Sequence, residues 1–204
     1  MRRPAILLLP CVALVLAACG SSKKSTSTTA APSTTTVTVT TPGTTASTQT
    51  SQTTTTPTGL PICRAGTLSL SFIGSQGAAG HGLLGFALKN TGSATCGTVG
   101  YPGVLFLDKA GKPLPTTPTR TTHDYFGTAP KVALTVSPGA TVSFRIGVTH
   151  VPAGNATCAT AAALQVIPPN DTSTLRISVP GGFYQCGTAT VSPIRPGTSA
   201  YPTS

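Results

Sequence analysis

A chain of 204 residues carries 13 Lys and Arg against only 3 acidic side chains, a net charge of +10, with 8% of its residues charged and 5% aromatic. Asp108, Asp124 and Asp171 are its whole acidic complement, too few for the oxygen cage of a hard cation, and with Asp108 and Asp171 in turn motifs only Asp124 is left outside one for a glycosidase pair. Few rings interleave with the scattered basic residues, so a nucleic-acid groove is excluded as well.

The N-terminus has the parts of an export signal: Arg2 and Arg3, an apolar stretch from Ala5 to Leu16, and small residues before a cut. Counted to Ala18 the stretch is about 14 residues, short of the ~20 that span a bilayer, and Pro10 interrupts it. Leu16-Ala17-Ala18-Cys19, followed by Gly20, resembles a bacterial lipobox. That resemblance implies removal of residues 1–18 by a Sec-type route and a diacylglyceryl group on the sulfur of Cys19. Two acyl chains hold a protein stably, and Lys23 and Lys24 would each add about 1 kcal/mol on anionic lipid. The expected address is the outer face of the cytoplasmic membrane, with membrane lipid as the partner of Cys19.

Residues 19–59 form the next part. From Ser21 to Gly59 the sequence is nearly all Thr, Ser, Pro and Ala, with Val37 and Val39 as its larger aliphatics. Such a segment buries too little apolar surface to offset ordering, so a disordered linker is expected. It reaches ~35 Å as a coil or ~120 Å if extended, and its composition also suits O-glycosylation.

Residues 60–204 read as one domain, with a short flexible tail after about Pro196. Leu68, Leu70 and Phe72 alternate with serines; apolar runs follow at Leu83 to Leu88 and Val104 to Leu107. Val132 to Val136 and Val142 to Val148 alternate again, as do Leu175, Ile177 and Val179, while Leu164 to Ile167 is another short run. Turn residues punctuate them at Asn90-Thr91-Gly92, Asp108 to Gly111, Ser137-Pro138-Gly139, Pro168 to Asp171 and Pro180-Gly181-Gly182. Ala159 to Leu164 predicts a short helical turn at most. About seven strands at this spacing predict an all-β, antiparallel, immunoglobulin-like sandwich, with a small open barrel as the alternative.

Cys11 lies in the removed segment. Cys63, Cys96, Cys158 and Cys186 remain, an even number in an exported chain, which reads as two disulfides with three possible pairings. The sequential pairing, Cys63–Cys96 and Cys158–Cys186, is expected because each bond then ties a strand-flanking loop to its own half. Loops of that size stabilise by roughly 3.5–4 kcal/mol each. No CxxC clustering supports a metal site or a thiol nucleophile.

Several short strings recur in a known order: Gly74 to Gly80, Leu88-Lys89-Asn90-Thr91-Gly92, Thr95-Cys96 and Gly100-Tyr101-Pro102-Gly103-Val104. Later come Leu134, Pro138-Gly139, the Cys158 region, Leu164 to Pro169 and Ser192-Pro193. Together, over roughly Ile62 to Pro196, they resemble the actinobacterial lipoprotein family built on domain of unknown function 4232. The resemblance implies a lipobox, a low-complexity linker and four half-cystines at matching places, and it implies no activity. The absence of Glu departs from the family and makes this domain more basic.

The remaining motifs carry little chemistry. Gly80-His81-Gly82-Leu83-Leu84-Gly85 matches a G-x-G-x-x-G string, but Phe86-Ala87-Leu88 continues as a strand, so a flexible loop is expected there instead of a dinucleotide site. His81, His123 and His150 are singletons, and no metal or other cofactor is expected. His123-Asp124-Tyr125 has no G-x-S-x-G turn beside it, so no catalytic residue is assigned. What remains is a monomeric, non-enzymatic surface module that presents loops at Gly74 to Gly82 and Thr116 to Pro130. Arg120, His123, Asp124 and Tyr125 are its candidate interaction residues, and its candidate partners are anionic envelope polymers or another envelope protein. A cell-wall hydrolase or transferase using His123 and Asp124 is one alternative. A small-ligand carrier with a closed apolar pocket between the sheets is the other.

Overall fold

The computed structural model describes residues 57 and 59–201, all within one compact unit, Gln49–Ser204. The expected signal segment, Cys19 and nearly all of the expected linker lie outside the described residues. No helix among the described residues is long and apolar enough to cross a membrane.

After a 3-10 turn at Ala65–Thr67 the chain is built of strands. They are β1 (Leu68–Ala78), β2 (His81–Asn90), β3 (Cys96–Thr98), β4 (Gly103–Leu107), β5 (Thr119–Arg120), β6 (His123–Asp124) and β7 (Gly127–Thr128). There follow β8 (Leu134–Val136), β9 (Thr141–Thr149), β10 (Cys158–Ile167), β11 (Leu175–Cys186), β12 (Ala189–Val191) and β13 (Arg195–Pro196). One sheet has the order β1-β2-β9-β12-β5, with β13 also on β9; a second has the order β11-β10-β4. Small pairs, β3-β8 and β6-β7, lie outside these two sheets. All strand pairs are antiparallel except β12 with β5. The fold is therefore all-β, with antiparallel sheets and no barrel.

Alternation decides which side of the first sheet is core. Leu84, Phe86 and Leu88 of β2 lie opposite Ile146, Phe144 and Val142 of β9, and all six are buried. The second sheet adds Phe106, Leu164, Val166 and Phe183 to the same cluster. Phe86 lies 5.5 Å from Phe72 and 5.4 Å from Phe144, while Phe183 meets Phe106 edge-on at 5.1 Å. Each such side chain contributes about 1.5–3 kcal/mol by leaving water. Both expected disulfides are present: Cys63–Cys96 ties the segment before β1 to β3, and Cys158–Cys186 joins directly opposed residues of β10 and β11.

The other face of the first sheet carries His81, Leu83, Gly85 and Ala87, paired with Thr149, Gly147, Arg145 and Ser143. It is not left to solvent: Leu83 and Ser143 are fully buried and Arg145 is 4% exposed. The chain after β13 lies across it, with Ala200 donating its amide to Ser143 Oγ at 3.1 Å and the Tyr201 ring resting on Gly85. A Cβ at Gly85 would overlap that ring, so glycine is what lets the tail seat.

Three expectations need correction. Ala159 to Leu164 is strand, not a helical turn, because β10 is central in its sheet and pairs on both edges, with β11 and β4. Gly74 to Gly82 is not a loop: β1 runs to Ala78 and β2 starts at His81, leaving a tight turn at Ala79 and Gly80, both with positive φ (49° and 81°). Gly82 and Gly85 of the G-x-G-x-x-G string accordingly lie within β2. Of the residues expected in the flexible tail, Ala200 and Tyr201 are packed on the sheet, while Gly197, Thr198 and Ser199 remain exposed.

Candidate binding site

The loop that carries the candidate interaction residues is fastened to the sheet by one side chain. Arg145 sits in β9 opposite Gly85, so nothing on β2 obstructs its guanidinium. Its Nε donates to Asp124 Oδ2 and its Nη2 to Asp124 Oδ1, both at 2.8 Å. Nη2 also donates to the carbonyl of Gly127 at 2.7 Å, and Nη1 to that of Ala200 at 3.3 Å. The two side chains are 5% and 4% exposed, so this is a buried fork of the kind only arginine supplies. Asp124 Oδ1 also accepts the amide of Phe126 at 2.9 Å, and Ala129 donates its amide to the carbonyl of Thr122 at 2.8 Å, which closes the loop.

Held in this way, the loop displays Tyr125. The residue is 58% exposed, yet its ring stacks on His81 with centroids 4.0 Å apart and planes 19° from parallel. Phe126 meets it edge-on at 5.4 Å. Beside it lies a cleft of about 150 Å³ whose lining includes His81, Tyr125 and Phe126 together with Thr149, Thr188 and Thr190. Thr149 Oγ1 and Thr188 Oγ1 are 3.1 Å apart, within hydrogen-bond distance. Gly147 is also part of the lining; a Cβ there would come within 2.6 Å of Thr190 Oγ1.

A second cleft, of about 410 Å³, opens between the sheets, lined by Gln76, Leu84, Val148, His150, Phe183 and Tyr184 among others. It is open rather than closed, and polar groups share its lining. The two clefts flank the same strand ends, since His81 pairs with Thr149 and the next residue, His150, donates its amide to Gly80 at 2.7 Å. Among the described residues, the large apolar side chains that remain exposed are Tyr125, Val151 and Tyr184. Tyr125 lies on His81, Val151 against Gly80, and Tyr184 in the cleft with His150, so all three gather at the β1–β2 turn. The chain enters at the other end: Pro61 and Cys63 bond to Gly97, and β1 sets out from Leu68. Eleven residues of strand separate the two ends by about 36 Å or less.

The four predicted interaction residues have different fates. Tyr125 and His123 are exposed, and His123 Nδ1 lies 3.1 Å from Thr128 Oγ1. Asp124 is taken up by Arg145. Arg120 is exposed on β5 and lines a separate hollow with Pro102, Val104 and Val191. His123 and Asp124 thus point to different partners, Thr128 and Arg145, and do not form a base-and-orienter pair. No group of three His, Cys, Asp or Glu that could hold a metal occurs among the described residues. Sequence reasoning missed His81, Thr149, Thr188 and Thr190 as neighbours of Tyr125. The signal available for His81 and Thr149 was their place at opposing strand ends, which becomes useful only once the β2–β9 register is known.

No curated protein and no solved structure matches the chain. A family model described as a domain of unknown function (DUF4232) matches residues 63–195, which spans both disulfides and nearly every strand, and the chain belongs to that family.

Proposed function

We propose that the protein is a non-enzymatic, lipid-anchored recognition module of the cell envelope that engages its partner through the end bearing Tyr125. One observation carries the reading: among the described residues, the exposed large apolar side chains collect at the end of the domain remote from Pro57, around a loop immobilised by a buried ion pair. Recognition favours rigid aromatic residues on a fixed scaffold, because little ordering entropy remains to be lost. With Cys19 acylated and the linker extended, this end would face away from the membrane and toward other envelope components.

The test is a photo-crosslinking amino acid placed at position 125 or 151, with position 138 as the control at the opposite end, in cells making the full chain. The expected result is a reproducible adduct from 125 and 151 and none from 138. Equal capture at all three positions, or none at any, overturns the reading, as does turnover of an envelope substrate by the purified protein. Loss of lipid label on Cys19→Ala checks the anchor separately.

The inter-sheet cleft favours a second reading, a carrier of a small ligand, because its volume falls in the range of ligand sites. Native mass spectrometry of protein isolated from membranes would detect such cargo, and a bare mass would remove this reading.

A further inference from the structure

We infer that the cleft beside Tyr125 binds one ring of a neutral saccharide, a proposal that rests on the recognition reading and names its ligand class. Three features of the cleft point to that chemistry. The first is the aromatic wall. Tyr125 is exposed but held by stacking on His81, with Phe126 against its edge, so the ring face turned away from His81 is offered with little motion to freeze. The C–H groups on the face of a sugar ring carry slight positive charge and suit the negative face of such a ring.

The second is the hydroxyl side. Thr149, Thr188 and Thr190 line the cleft, and although the first two hydroxyls lie 3.1 Å apart and can bond each other, a hydroxyl donates and accepts at once, so a sugar hydroxyl can join that pair without breaking it. The third is charge. The carboxylate of Asp124 lies at the cleft but is 4% exposed and committed to Arg145, so the pair offers no free charge to an ionic ligand. Apart from the imidazole of His81, whose face is stacked on Tyr125, an anion or cation would meet no charged side chain free to pair with it and would lose its hydration. Size narrows the ligand further. A space of about 150 Å³ accepts a single six-membered ring, whereas drug-sized or acyl ligands occupy upward of about 300 Å³.

The experiment is amide-shift mapping of the isotope-labelled full chain in a detergent without a sugar headgroup. It is titrated with maltotriose, mannotriose and chitotriose, and with trigalacturonate as the anionic control. At least one neutral trisaccharide is expected to bind with a dissociation constant on the order of 1 mM or tighter, shifting His81, Tyr125, Thr149 and Thr188. Tyr125→Ala should weaken that binding by about tenfold or more without moving the melting temperature, and Tyr125→Phe should retain most of it. Thr188→Val, which removes a hydroxyl from the lining at nearly constant volume, should weaken it while leaving Tyr125 on its loop. Absence of a saturable shift with every neutral probe up to about 50 mM, or tighter binding of trigalacturonate, overturns the proposal. If position 125 still crosslinks to an envelope protein in that case, the saccharide alone falls and the recognition reading stands. If both fail, the recognition reading falls with it.

Discussion

Gln185 is fully buried in β11, accepts a hydrogen bond from Thr116 Oγ1 at 2.9 Å, and leaves its Nε2 without a partner among the described residues. A buried amide that is half satisfied is costly, and removing its remaining partner makes it costlier. Thr116→Val should therefore destabilise the domain by about 1–3 kcal/mol, read as a fall in the urea midpoint at unchanged slope. The double variant Thr116→Val, Gln185→Leu should recover most of that loss, because both polar groups leave together. A double variant no more stable than the single one would contradict this account. Nothing in the sequence joins these two residues, which stand 69 positions apart with no shared motif. Asp124 was legible only in part: it stood out as the one acidic residue outside a turn signal, but its partner Arg145 looked like any other basic residue of an alternating strand.

At the scale of elements, β1, β8, β9 and β11 were readable because one wet and one buried face impose a period of two. The brief strands β3, β5, β12 and β13 were not, since two or three residues carry no period. Alanine-rich β10 misled because its composition favours helix, and only pairing on both edges overrides that preference. The loop from β5 to β7 likewise depends on a tertiary feature, the Arg145 fork. Removing one member of a buried ion pair strands the other, so Arg145→Ala should cost about 3–5 kcal/mol and release the loop. Chemical denaturation measures the first effect, and loss of the Tyr125–His81 ring-current shifts measures the second. Asp124→Asn with Arg145→Met should be more stable than Arg145→Ala. A mobile loop in Arg145→Ala at unchanged stability would mean that the fork positions the loop without supporting the fold.

For the molecule as a whole, acid should be a weak denaturant. Acid unfolding works by protonating carboxylates that the folded state keeps charged, and this chain has three. Asp171 holds the start of the domain to the β10–β11 connection. Its carboxylate accepts the amide of Ala65 at 2.7 Å, which is the main cause of its lowered pKa, aided by the amides of Thr172 and Ser173 and by Arg64 and opposed by burial. A folded pKa below the unfolded one gives stability that is complete above about pH 4 and drains away as pH falls through the lower folded value. The melting temperature should thus be flat from neutrality to about pH 4 and decline below it. In Asp171→Asn it should start lower and decline less, and parallel curves for the two proteins would refute the assignment. The tail that crosses the first sheet adds a matter of timing. Arg145 needs the carbonyl of Ala200, Ser143 needs its amide, and the bare backbone at Gly85 needs the Tyr201 ring. A chain growing from its N-terminus therefore cannot finish this face until residue 201 has emerged. Until then the Arg145 fork is incomplete and the loop bearing Tyr125 lacks its final brace.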